Sequence, residues 1–161
     1  MTASSPDFSD MTELIINTAT AAPEQTEAVA AQFAHTVINE MQSKKDGNLF
    51  IALYGDVGVG KTVFVRGLAS VICPDDFVQS PTYALVNEYR GQYRICHYDM
   101  YRITSEDDLE STGFYDYKNC VIVAEWCENI PFAIPRKHYR VDICKIDDGC
   151  GRSIKIEKIS E

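Results

Sequence analysis

NLFIALYGDVGVGKTVFVRG, residues 48–67, decides the fold. NLFIALYG (48–55) is almost unbroken in its apolarity, the mark of a strand covered on both faces. Gly55, Asp56, Val57, Gly58, Val59, Gly60, Lys61 and Thr62 then satisfy G-x-x-x-x-G-K-[ST] in full. Glycines let the backbone turn so that successive N–H groups point at phosphate oxygens, where side chains would block the approach. A helix predicted from Lys61 to Ile72 adds its unpaired amides and positive dipole end. The Lys61 ammonium is then expected to reach the β- and γ-phosphate oxygens of a nucleoside triphosphate, and the Thr62 hydroxyl to ligate magnesium.

On either side the pattern alternates between strands and helices. ELIINT (13–18) reads as a short strand. Residues 22–42 read as an amphipathic helix, with Pro23 in its first turn and Val29, Phe33, Val37 and Met41 four apart on one stripe. His35 falls off that stripe and is expected at the surface. YALVNEY and YRICHYD, joined by RGQ, predict a β-hairpin. TSEDDLEST opens like a helix capped by Thr104 or Ser105. CVIVAEW (120–126) is a second fully apolar run, and HYRVDICKI with RSIKIEKI forms a closing hairpin about the turn DDGCG. The expected fold is α/β: a P-loop NTPase-like mixed, mainly parallel sheet flanked by helices, with antiparallel hairpins. Residues 1–11 are small, polar and acidic and are expected to form a disordered tail, leaving 12–161 as one domain.

Composition narrows the partners. The 161-residue chain carries 24 acidic against 15 basic side chains, a formal charge of −9, which disfavours a direct grip on nucleic acid or an anionic membrane and favours a protein partner. The six cysteines show neither a C-x-x-C pair nor zinc spacing and read as reduced thiols. No stretch is apolar enough for a membrane span, and the N-terminus is unlike a signal peptide, so a cytoplasmic location is expected.

Magnesium on a triphosphate needs a carboxylate at the end of a neighbouring strand. VIVAE delivers Glu125 after an unbroken apolar run and is the favoured metal-side acid. ICHYD ends in Asp99, expected on a less central strand and assigned to orienting water or the metal's hydration shell. QSPTY (79–83) stands where switch loops sense the γ-phosphate, which makes Thr82 a candidate contact. Trp126, the only tryptophan, follows Glu125.

GDVGVGKT-x-F-x-RG, SPTYALVNEY, HYDMYR and AEW stand together in this order. With them the chain resembles the small P-loop ATPase family of the bacterial threonylcarbamoyladenosine tRNA-modification system, over about Thr26 to Pro135. The resemblance implies an ATPase required for modification of adenosine 37, slow alone and stimulated in a complex. Its implied partner is a heterodimer of a threonylcarbamoyltransferase subunit and an inactive paralogue, reset by hydrolysis between rounds. It also implies that Lys61 and Thr62 bind phosphate and metal, that Glu125 ligates magnesium, that Asp99 and Trp126 sit at the active site, and that the segment near Thr26 lies against the adenine. Val63 departs from the family's second threonine, and Val57 and Val59 from its usual leucine and alanine. A small-molecule P-loop kinase is the alternative; the chain's scattered arginines form no lid-like cluster. A GTP switch is disfavoured by the lack of an N-K-x-D or T-K-x-D motif.

Overall fold

The computed structural model describes residues 11–81, 84–146 and 149–160. Within them, seven strands form one sheet: β1 (Thr12–Thr20), β2 (Leu49–Tyr54), β3 (Val86–Tyr89), β4 (Arg94–Asp99), β5 (Cys120–Glu125), β6 (His138–Ile146) and β7 (Gly151–Ile159). Their order across the sheet is β1-β7-β6-β2-β5-β4-β3. The inner four, β6, β2, β5 and β4, run parallel, while β7, β1 and β3 join antiparallel at the flanks. This is the mixed sheet with flanking hairpins that the sequence predicts.

Both apolar runs occupy the positions their composition demands. β2 lies between β6 and β5, and every residue of β5 is buried. On one face, Leu49, Ile51, Leu53, Val121 and Val123 pack beneath α1 (Pro23–Ser43) and α2 (Lys61–Ile72). On the other, Phe50, Ala52, Ile122 and Ala124 meet Leu109 of the short helix α3 (Glu106–Ser111), together with Phe114, Cys127 and Ile130. A strand covered on both sides has no face to leave polar, so alternation disappears.

α1 buries Ala30, Phe33, Ala34, Val37 and Met41, while Val29 lies at the margin of the stripe, only partly buried. His35 is exposed. The first helix crosses α2 very closely: a Cβ at Gly67 would stand 2.7 Å from the Ala30 Cβ and 2.9 Å from the Glu27 Cα. Only glycine allows α2 to lie this close. α3 is capped by Ser105, whose Oγ accepts from the Asp108 amide at 3.1 Å, and Asp108 accepts in return from Thr104. β3 starts at Val86, later than the hydrophobic pattern predicts, because Leu85 takes a left-handed backbone (φ 67°) and the Ala84 and Leu85 amides turn back to the Pro81 carbonyl. None of the six cysteines is in a disulfide, and no described helix is long and apolar enough to cross a membrane.

Candidate functional site

Parallel strands all end at the same edge of the sheet, so whatever follows β2, β4 and β5 collects there. The glycine-rich loop leaves β2 at Tyr54 and enters α2 at Lys61. Gly55 makes the turn (φ 149°), and a Cβ there would strike the Ile143 carbonyl oxygen of β6 at 2.5 Å. At the other end, Gly60 is left-handed and no side chain caps the first amides of α2, whose first turn carries no acid. Those N–H groups and the dipole behind them form a corner suited to an anion.

Lys61, 8% exposed, lies over this corner. Its Nζ donates to the Gly55 carbonyl at 2.8 Å, stands 3.7 Å from Glu125 Oε1, and lies 5.2 Å from the centre of the Trp126 ring. Glu125, 7% exposed, ends β5 directly opposite Leu53 on one side and Asp99 on the other. The two acids are therefore neighbours on paired strands. Asp99 is half-buried, and its Oδ1 accepts from the Tyr101 amide at 3.0 Å. Trp126 carries a left-handed backbone (φ 60°), which swings its ring against Tyr101 with the centroids 5.0 Å apart.

An open cleft of about 370 Å³ lies between these groups. Val57, Gly58, Gly60, Lys61 and Thr62 line one side, Asp99, Glu125 and Trp126 the other. Gly55, Asp56 and Val59 line a separate hollow with Ile143, Cys144 and Lys145 of β6. Thr26 is buried in the first turn of α1, its hydroxyl 2.9 Å from that of Thr20, and is not part of the cleft lining. Thr82 lies outside the described residues. Val63 also lines the cleft with an apolar side chain.

Sequence reading missed His97. It is fully buried on β4, and its Nε2 meets Glu125 Oε2 at 2.7 Å. Among the described residues its Nδ1 has no hydrogen-bond partner. A carboxylate acceptor calls for the proton on Nε2, so the imidazole holds one oxygen of Glu125 while the other faces Lys61. The signal was present: in H-Y-D, His97 and Asp99 are two apart on a strand and share a face. Among the described residues, no three His, Cys, Asp or Glu side chains are grouped to hold a metal on their own.

A family model described as threonylcarbamoyl adenosine biosynthesis protein TsaE matches residues 20–154. Proteins named tRNA threonylcarbamoyladenosine biosynthesis protein TsaE are similar to the chain. That of Haemophilus influenzae is 37% identical over 103 residues, covering 62% of this chain and 65% of the relative, just under two thirds of its length. That of Rickettsia typhi is 33% identical over 136 residues (77% of this chain, 94% of the relative), and that of Bacillus subtilis 33% over 132 (78% and 75%). Among solved structures, the crystal structure of Bacillus subtilis YdiB superposes with a TM-score of 0.70 at 24% identity, covering 92% of this chain and 88% of that one. At that identity the likeness speaks for the fold.

Proposed function

The chain belongs to the TsaE family of threonylcarbamoyl adenosine biosynthesis proteins, and from that premise we propose that it is the ATP-binding, ATP-hydrolysing component of tRNA threonylcarbamoyladenosine modification. The observation that carries this reading is the buried Lys61 ammonium beside an uncapped helix start, facing two strand-end carboxylates across one cleft. A cation and converging amides suit a polyanion. The carboxylates opposite suit its metal, which needs few protein oxygens because phosphate and water supply the rest.

In this reading the loop amides from Gly58 to Thr62 and the Lys61 ammonium bind the β- and γ-phosphates of ATP. Thr62 and Glu125 hold magnesium, which when bound neutralises charge on the phosphate oxygens. Asp99 orients the attacking water, and His97 fixes the carboxylate of Glu125. Trp126 closes the rim of the cleft, Thr82 contacts the γ-phosphate, and the start of α1 near Thr26 borders the adenine. One domain, residues 12–161, carries the activity in the cytoplasm, with residues 1–11 dispensable. The partner is a protein heterodimer of a threonylcarbamoyltransferase subunit and its inactive paralogue. It stimulates turnover, and hydrolysis resets it between rounds of modification at adenosine 37. The acidic balance of the chain, −9, supports a protein partner over a direct grip on tRNA.

The test is an ATP titration followed by turnover with and without the heterodimer. The wild-type chain binds ATP with magnesium and turns over faster with its partner. Lys61→Ala, checked for folding by circular dichroism, loses at least about 100-fold in affinity, since it removes the cation that would pair with phosphate. Unchanged ATP affinity in Lys61→Ala would refute the assignment of the loop. Equal turnover with and without the heterodimer would refute the partner-driven role.

A further inference from the structure

Arg152 stands at the start of β7, 93 positions beyond Val59 in the chain, yet it touches the phosphate loop. Its Nε donates to the Val59 carbonyl at 2.8 Å, and its Nη2 reaches toward the Gly58 carbonyl at 3.4 Å. Its Nη1 donates back to its own turn, to the carbonyls of Gly149 and of Gly151, the latter at 2.9 Å. One guanidinium thus ties the closing hairpin to two successive peptide units of the loop. Among the described residues it forms no ion pair with an acid.

The geometry has a plain consequence for the loop. Amides can converge on an anion only if the carbonyls between them point outward, and an outward carbonyl in a half-buried setting needs a donor. The planar fork of an arginine can serve neighbouring carbonyls at once, which a single ammonium cannot do with the same fixed geometry. The underside of the loop is tight on the same flank: Val59 is 2% exposed, and the Ile143 carbonyl of β6 leaves no room for a side chain at Gly55.

We propose that Arg152 is a positioning residue for nucleotide binding, anchoring the outward carbonyls of Gly58 and Val59 so that the loop amides stay converged and making the β6–β7 hairpin part of the phosphate site. This rests on the reading of the chain as an ATP-binding protein. Nothing in the sequence pattern links Arg152 to the loop; only the fold brings them together.

The experiment is calorimetric titration of the full chain with magnesium-ATP and with magnesium-ADP, for wild type, Arg152→Gln and Arg152→Lys, with steady-state turnover alongside. Arg152→Gln should weaken both nucleotides by about 10- to 100-fold, the scale of one charge-assisted hydrogen bond, and raise KM with kcat largely retained. Arg152→Lys should recover only a few-fold, because it restores charge without the fork. A purely structural role would lower the melting temperature without this split between KM and kcat. Affinity within twofold of wild type in a folded Arg152→Gln chain would overturn the inference. So would full recovery by Arg152→Lys, which also decides the matter if Arg152→Gln does not fold. A wild-type chain that binds neither nucleotide would sink the functional reading and this inference together, whereas equal binding by wild type and variants sinks the inference alone.

Discussion

Replacing Gly67 by alanine should push α1 and α2 apart and destabilise the chain, although alanine is the better helix former. The added Cβ would lie 2.7 Å from the Ala30 Cβ and 2.9 Å from the Glu27 Cα, with the Glu27 carbonyl oxygen nearer still. Ordinary contact needs well over 3 Å, and backbone atoms cannot rotate away, so α1 has to withdraw by close to 1 Å. Ala30, Phe33, Ala34 and Val37, all fully buried, would be drawn back with it. A gap of 0.5–1 Å forfeits roughly a quarter to a half of each dispersion contact, and overpacking of this kind costs about 1–3 kcal/mol. A clash against backbone belongs at the upper end, about 3 kcal/mol. The gain in helix propensity is about 1 kcal/mol, so the loss wins by about 2 kcal/mol. In a chain of 161 residues that lowers the melting temperature by roughly 4–8 °C. Thermal and urea unfolding measure it, with an unchanged urea slope showing that stability alone has moved. A melting temperature equal to or above that of wild type would show that the two helices part freely, and the close-approach account of Gly67 would be wrong.

Glu125→Gln should cut magnesium-dependent turnover at least about tenfold while leaving ATP binding without magnesium nearly unchanged; unaltered turnover would move the metal-side role to Asp99. His97→Phe removes the 2.7 Å hydrogen bond to Glu125 and should cost about 1.5–3 kcal/mol, part of which His97→Gln recovers by keeping a donor. Identical unfolding midpoints for those two variants would contradict a hydrogen-bonding role. Burial pushes the thiol of Cys73 up to about 11 and that of Cys127 up to about 12, and raises Cys96 further still. The unfolded chain sheds these protons from about pH 8.5 while the folded chain keeps them, so stability is full below that pH and falls as pH rises beyond it. A urea midpoint that stays flat from pH 8 to pH 10 would argue against this, and thiol reagents at neutral pH should label only the exposed Cys144 and Cys150 before unfolding.

Much of the fold was legible because its signals are local. The apolar runs of β2 and β5, separated by a glycine loop and a helix, specify a covered parallel core whatever surrounds them. Asp99 and Glu125 could be placed at one edge because strand ends are readable from pattern. The left-handed turn at Leu85 could not be read, since leucine has no preference for that conformation and its hydrogen bonds, to the Pro81 carbonyl and from the Asp99 amide, are backbone ones. Thr26 pairs its hydroxyl with Thr20, a choice set by where β1 ends against α1. His97 was half-visible through its spacing from Asp99. Arg152 was invisible, because its partners are backbone carbonyls, which every residue possesses.

The pairing of Asp99 with Glu125 and of Glu125 with Leu53 makes strand alignment itself a requirement of the candidate site. Side chains alternate across a strand, so deleting one residue within β4 or β5 would turn every group beyond the cut to the opposite face. His97 and Asp99, for a cut in β4, or Glu125, for a cut in β5, would then be directed into the layer of Tyr98 and Phe114, away from the glycine loop. Point replacements along these strands are graded injuries, whereas a single-residue deletion upstream of either acid would dismantle the centre outright.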